Sequence, residues 1–143
     1  MPHLVILYTA DLDAGTDMTA LCRKLADTLL AARDEAHKPV FPPGGVRVLA
    51  YPAAHSAVAD GGAAGRAAGG AGDYAFMYLN LRMARGRSAA VQQEVGDAIA
   101  ATARQHLAPL FEQRYLGLTV QVDEGAEVFD AKHSTIHPLF NQA

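Results

Sequence analysis

Met1-Pro2-His3-Leu4-Val5-Ile6-Leu7-Tyr8 sets the architecture of the chain. Alternation along a strand from residue 3 to residue 9 places His3, Val5 and Leu7 on one face and Leu4, Ile6 and Tyr8 on the other. Both faces are largely apolar, so both call for cover. A methionine ahead of a small second residue is normally trimmed in the cell, which would leave Pro2 with a free secondary amine. An α-amino group titrates near ~8 in peptides, and burial or nearby positive charge lowers that value by disfavouring the ammonium. The ring also fixes φ. A proline at the head of a core strand is therefore suited to act as a neutral base at physiological pH. The plain alternative is a second residue with no special role.

Working outward, a polar turn over 11–16 precedes a helix expected from about Asp17 to Arg33, capped by Thr16 or Asp17. Met18, Leu21, Cys22, Leu25 and Leu29 make its apolar stripe, which reads Cys22 as a core cysteine. Residues 38–45 carry three prolines and two glycines and read as a loop. A second strand follows over 46–51, ended or placed at a sheet edge by Pro52. Strand, helix and strand with short connections make a right-handed βαβ unit with parallel strands.

Residues 60–72 are almost all glycine and alanine and read as a mobile loop. They lack the lysine and Ser/Thr spacing of a phosphate cradle. A strand over 73–85 has Ala75, Met77, Leu79, Leu81 and Met83 on one face, with Tyr74, Phe76 and Tyr78 on the other. A second helix over 88–111, capped by Ser88, has an inner stripe of Val91, Val95, Ile99, Thr102, His106 and Leu110. Pro109 is expected to distort its last turn. A fourth strand over 114–124 points Leu116, Leu118, Val120 and Val122 inward. The tail has no firm periodicity, but Ile136, Leu139 and Phe140 call for burial, as against a neighbouring subunit.

The reading is thus a single α+β domain over 1–143. It comprises two βαβ halves (2–59 and 73–124), a Gly/Ala loop at 60–72 and a tail at 125–143. Four strands form a mixed sheet with two helices on one face. The uncovered face calls for a second copy of the chain.

Length and composition fit a globular domain: 143 residues, half of them hydrophobic, with a net charge of −3. That balance argues against nucleic acid as a partner, and no apolar run reaches the length of a membrane span. The lone Cys22 cannot form an internal disulfide, and the N-terminal stretch lacks the pattern of a signal peptide, so a cytoplasmic location is expected.

In order and spacing, five features resemble the 5-carboxymethyl-2-hydroxymuconate isomerases of the tautomerase superfamily. They are Pro2-His3 before an apolar strand, the Phe41-Pro42 loop leading to Gly45-Val46-Arg47, Asp73-Tyr74-Ala75-Phe76, Gly86-Arg87-Ser88, and Ile136-His137-Pro138-Leu139-Phe140. The resemblance covers nearly the whole chain. It implies a tautomerase-like fold, a homotrimer, no cofactor, and proton transfer on a small-molecule carboxylate in homoprotocatechuate breakdown. It also implies that Pro2 is the acid/base and that Arg47 and Arg87 bind and polarise the substrate, with His3 beside them. Three departures stand out: the Gly/Ala stretch resembles an insertion, Leu49 stands where family members tend to carry a second arginine, and a retained Met1 would turn the Pro2 amine into an amide.

Enol-to-ketone conversion needs a base for the hydroxyl proton and an acid to protonate carbon. One amine with a pKa near the working pH can do both, and such a group is worth roughly 10²–10⁴ in rate. A guanidinium suits the developing carboxylate-linked dienolate, and Arg87 before a helix N-terminus would favour anions. An ordinary ion pair is the plain alternative for each arginine. Two alternatives to this function remain. One is a superfamily enzyme acting on another 2-hydroxydienoate or an arylpyruvate enol; the other is a non-catalytic trimeric ligand-binding protein. His133 and His137 have metal-pair spacing but no third ligand. Arg82, Arg85 and Arg87 read as an anion pocket.

Overall fold

The computed structural model describes residues 2–141. Met1, whose removal the sequence reading expects, and the last two residues of the tail lie outside the described residues. The strands are β1 (His3–Thr9), β2 (Arg47–Ala53), β3 (Tyr74–Met83) and β4 (Tyr115–Glu124). The helices are α1 (Met18–Ala31), α2 (Ala63–Ala67) and α3 (Ala89–Gln113). The sheet order is β2-β1-β3-β4. β1 is parallel to β2, β3 is parallel to β4, and the central pair β1–β3 is antiparallel. This is the mixed sheet of the sequence reading, with the long helices α1 and α3 packed side by side over it.

Local chemistry explains the boundaries. The Asp17 carboxylate accepts from the Ala20 N–H and starts α1, while the Ser88 hydroxyl accepts from the Val91 N–H and starts α3. Pro52 is tolerated because β2 is an edge strand. Pro109 lies inside α3, and the helix continues past it to Gln113.

Leu4, Ile6, Met77, Leu79 and Leu81 of the sheet are fully buried against Leu21, Leu25, Ile99 and Leu107 of the helices. Each such side chain contributes roughly 1.5–3 kcal/mol over its exposed state. The stripe of α3 departs from expectation. Its buried residues are Val91, Val95, Ile99, Ala103, Leu107 and Leu110, whereas Thr102 and His106 sit on the flank facing α1. There Thr102 bonds Thr28 at 2.8 Å, and His106 bonds Thr16 at 2.9 Å and Lys24 at 3.0 Å.

The Gly/Ala stretch is not simply a loop, which corrects the sequence reading. It contains α2, and the Asp60 carboxylate accepts from the Gly62 and Ala64 N–H groups at its start. Gly65 is buried beneath Tyr74 and Tyr115, whose rings meet edge to face. A methyl group at Gly62, which has φ +97°, would lie 1.8 Å from the Gly72 carbonyl oxygen, so the turn requires glycine there.

The other sheet face is bare in the protomer. Leu7, Leu49 and Tyr51 on that face are 47–50% exposed. Over β3 and β4 the same face is polar: the Tyr78 hydroxyl donates to Gln121 and the Asn80 amide to Asp123, both at 2.7 Å. Ile136, Leu139 and Phe140 of the tail, expected to be buried, are exposed in the protomer as well.

Candidate active site

The starts of β1 and β2 and the end of β3 meet at one end of the sheet. His3 is paired in register with Arg47 on one side and Arg82 on the other, so alternation puts all three on the bare face. Pro2 is buried, and its carbonyl oxygen accepts the Arg47 backbone N–H at 3.3 Å. A 3₁₀ turn over Pro43–Gly45 feeds β2 and aims the Arg47 side chain. Arg47 Nη1 donates to the Val46 carbonyl at 3.1 Å and to the Gly44 carbonyl. Its Nε and Nη2 donors have no partner among the described residues.

Arg47 and His3 line a cavity of about 460 Å³ whose other wall is the tail segment 130–136. Lys132 and Asp130 form an ion pair on that wall. The hydrogen bond from Lys132 holds the Asp130 carboxyl below the usual carboxylate range. Arg82 approaches Glu127 at 4.0 Å nearby. The tail is seated by a second 3₁₀ turn, His137–Phe140, packed on the Pro43–Gly45 turn. A methyl group at Gly44 would come within 3.0 Å of His137 Cα and Nδ1. The absence of a side chain at Gly44 therefore lets the tail close on the turn whose carbonyl holds Arg47.

Arg87 is placed differently. Its Nε and Nη2 donate to the Val40 carbonyl at 3.3 and 2.9 Å, and Nη1 donates to the Ala84 carbonyl at 2.9 Å. The guanidinium lies 4.9 Å from the centre of the Phe41 ring. Burial lowers its pKa. It is not among the residues lining the cavity of His3 and Arg47. The expected anion pocket of Arg82, Arg85 and Arg87 does not form in the protomer, because Arg82 points to the bare face while Arg87 is committed to backbone carbonyls.

A sequence model described as 5-carboxymethyl-2-hydroxymuconate isomerase matches residues 2–140. The chain belongs to the 5-carboxymethyl-2-hydroxymuconate isomerase family. A solved 5-carboxymethyl-2-hydroxymuconate delta-isomerase is 61% identical, with a TM-score of 0.97 over 100% of this chain and 95% of that one. A 5-carboxymethyl-2-hydroxymuconate isomerase from Deinococcus radiodurans R1 is 33% identical, with a TM-score of 0.80 over 99% of this chain and 95% of that one. The 5-carboxymethyl-2-hydroxymuconate Delta-isomerase of Escherichia coli is 26% identical over 140 residues, 98% of this chain and 99% of the relative. More distantly, a fused 4-OT solved as a symmetric trimer shares the fold at 18% identity and a TM-score of 0.50, over 91% of this chain and 93% of that one. The family and these relatives make the chain an isomerase.

Within this isomerase family member, the tail was the part of the site hardest to read from sequence. Lys132 and His133 line the cavity, yet their segment has no helical or strand period to place it. Among the described residues, no group of three or more His, Cys, Asp or Glu side chains is placed to hold a metal ion. Cys22 is half-buried on α1, and burial pushes its thiol pKa up, away from thiolate chemistry. No helix among the described residues is long and apolar enough to cross a membrane.

Proposed function

We propose that this isomerase moves a proton on 5-carboxymethyl-2-hydroxymuconate or a closely similar dienol carboxylate in homoprotocatechuate breakdown, without a cofactor. The Pro2 amine, freed by removal of Met1, takes the enol hydroxyl proton and returns a proton to carbon. The observation that carries this reading is the pairing of Pro2 with Arg47. The proline is buried and tied through its carbonyl to the backbone of an arginine with two unused donors facing a cavity. A bidentate guanidinium there stabilises the carboxylate and the charge developing on the dienolate. A cation held close to the amine favours its neutral, basic form. His3, paired with Arg47 on the bare face, supplies a further polar contact to substrate.

Arg87 joins this proposal in a narrower role. A direct carboxylate contact requires it to give up the Val40 and Ala84 carbonyls, and those same bonds fix the Val40–Phe41 loop beside the Pro43–Gly45 turn. Single-domain action, assembly as a homotrimer and a cytoplasmic location belong to the same proposal. The bare sheet face supports the trimer, and the lone cysteine supports the reducing compartment.

The test is ultraviolet-monitored ketonisation of a panel of 2-hydroxymuconate-type dienols. The protein is shown by intact mass to lack Met1, and a Pro2-blocked sample serves as the control. Fast turnover that is lost in the blocked sample is the expected result. Equal, near-background rates in both samples would remove the isomerase claim for those substrates.

A further inference from the structure

The described grooves differ in charge. At the opposite end of the sheet a groove of about 440 Å³ is lined by Asp11 and Asp73, with no Lys or Arg among its lining residues. The cavity lined by His3 and Arg47 is the reverse: Arg47 and Lys132 stand against a single carboxylate, Asp130, with His133 beside them. In a chain of net charge −3 this is a local excess of positive charge. Its two cations also stand on opposite walls. Arg47 is fixed at the strand end, and Lys132 is carried by the tail.

We infer that Lys132 binds a second carboxylate of the substrate and makes the cavity selective for di- and tricarboxylates over monocarboxylates. The Lys132 ammonium is paired with the Asp130 carboxylate, the same chemical group that this wall would accept from substrate. The substrate carboxylate replaces Asp130, while Arg47 takes the carboxylate near the reacting carbon. An ammonium on a flexible stem suits the remote end, which must be attracted but not oriented, whereas the planar fork of Arg47 suits the end that must be held in one pose. About 460 Å³ lies within the size range of small-molecule sites. The inference rests on the reading of Pro2 and Arg47 as the reacting end.

The test is calorimetric titration of the full chain with two unreactive probes of the same diene geometry, trans,trans-muconate with two carboxylates and sorbate with one. Lys132→Ala is expected to weaken muconate binding by about tenfold and leave sorbate unchanged, the scale of one charge-assisted contact in a half-exposed site. Asp130→Asn is expected to tighten muconate by releasing Lys132, and because it removes no cation it also guards against a folding artefact. Arg47→Ala should weaken both probes. If Lys132→Ala weakens both probes equally, or neither, the assignment is wrong. Because no turnover is read, the result stands apart from the ketonisation assay: muconate selectivity without isomerisation would overturn the proposed reaction and leave Lys132 assigned.

Discussion

Arg47 and Arg87 carry the same charge and differ in what their donors do. Arg47 spends only Nη1 on backbone carbonyls, while Arg87 spends Nε, Nη1 and Nη2 and lies against the Phe41 ring. Truncating Arg87 leaves the Val40 and Ala84 carbonyls without that donor and exposes the ring edge. Unmade bonds of this kind cost about 1–3 kcal/mol. Arg87→Ala is therefore expected to lose roughly 2 kcal/mol of stability, a fall of roughly 6–8 °C in Tm by calorimetry for a domain of this size. Arg87→Lys should recover little, because a compact ammonium on a flexible stem lacks the planar fork that spans the Val40 and Ala84 carbonyls. Well below Tm, Arg87→Ala should raise KM less than Arg47→Ala does. An unchanged Tm with a larger rise in KM would make Arg87 a substrate ligand rather than a positioning residue. Sequence alone shows both arginines beside turn residues, and sets Arg87 apart only by the helix N-terminus that follows it. Their separation comes from which carbonyls the folded turns leave within reach.

The contact between α1 and α3 carries a pH dependence. His106 Nδ1 accepts from the Lys24 ammonium, and Nε2 lies 2.9 Å from the Thr16 hydroxyl and 3.1 Å from the Asp17 carbonyl. Burial and the Lys24 charge hold His106 below its ordinary value of 6.5, against an opposing pull from Asp17. The unfolded chain thus binds this proton more readily than the folded one. Stability from this group is complete above about 6.5 and is lost as pH falls from that value through the lower folded pKa. Urea unfolding is expected to show a midpoint that falls as pH drops below about 6.5. His106→Gln, which keeps an acceptor for Lys24 and a donor for Asp17, should flatten that slope. An unaltered slope in the variant would place the pH dependence on other groups. Sequence periodicity missed this pair for a physical reason. The steps from Ile99 to Ala103 and Leu107 follow the core, while Thr102 and His106 lie one position earlier and face the neighbouring helix, where their polar atoms find partners. The Gly/Ala stretch escaped for another reason: α2 is held by the Asp60 carboxylate and the Tyr74–Tyr115 contact, neither of which has a local composition signal.

The bare sheet face is the surface on which the proposed assembly rests. The paired βαβ order and the buried half of each strand were legible because Leu4, Ile6, Met77, Leu79 and Leu81 alternate strictly. The apolar outer face of β1 was legible too, whereas the sequence reading placed the other such face on β3 and the structure places it on β2, at Leu49 and Tyr51. How the tail closes on Arg47 was not, because its fit depends on a missing side chain at Gly44 and on a turn without periodicity. Leu7, Leu49 and Tyr51 are neighbours across the β1–β2 ladder, since Leu7 pairs with Tyr51 and Val5 with Leu49. Each is about half exposed, so the protomer gains little from them and a partner surface would gain from burying them. Sedimentation equilibrium is expected to give three times the 15.1 kDa chain mass. Leu7→Lys puts a charge in the centre of that patch without touching the buried face, so it should keep its far-ultraviolet circular dichroism and sediment as a single chain. It should also lose activity if the substrate cavity is completed between copies, and keep it if one protomer suffices. A wild-type protein that sediments at 15.1 kDa at tens of micromolar would show that the patch is not an assembly surface. A trimeric Leu7→Lys would move the contacts to the exposed tail around Val128 and Phe129.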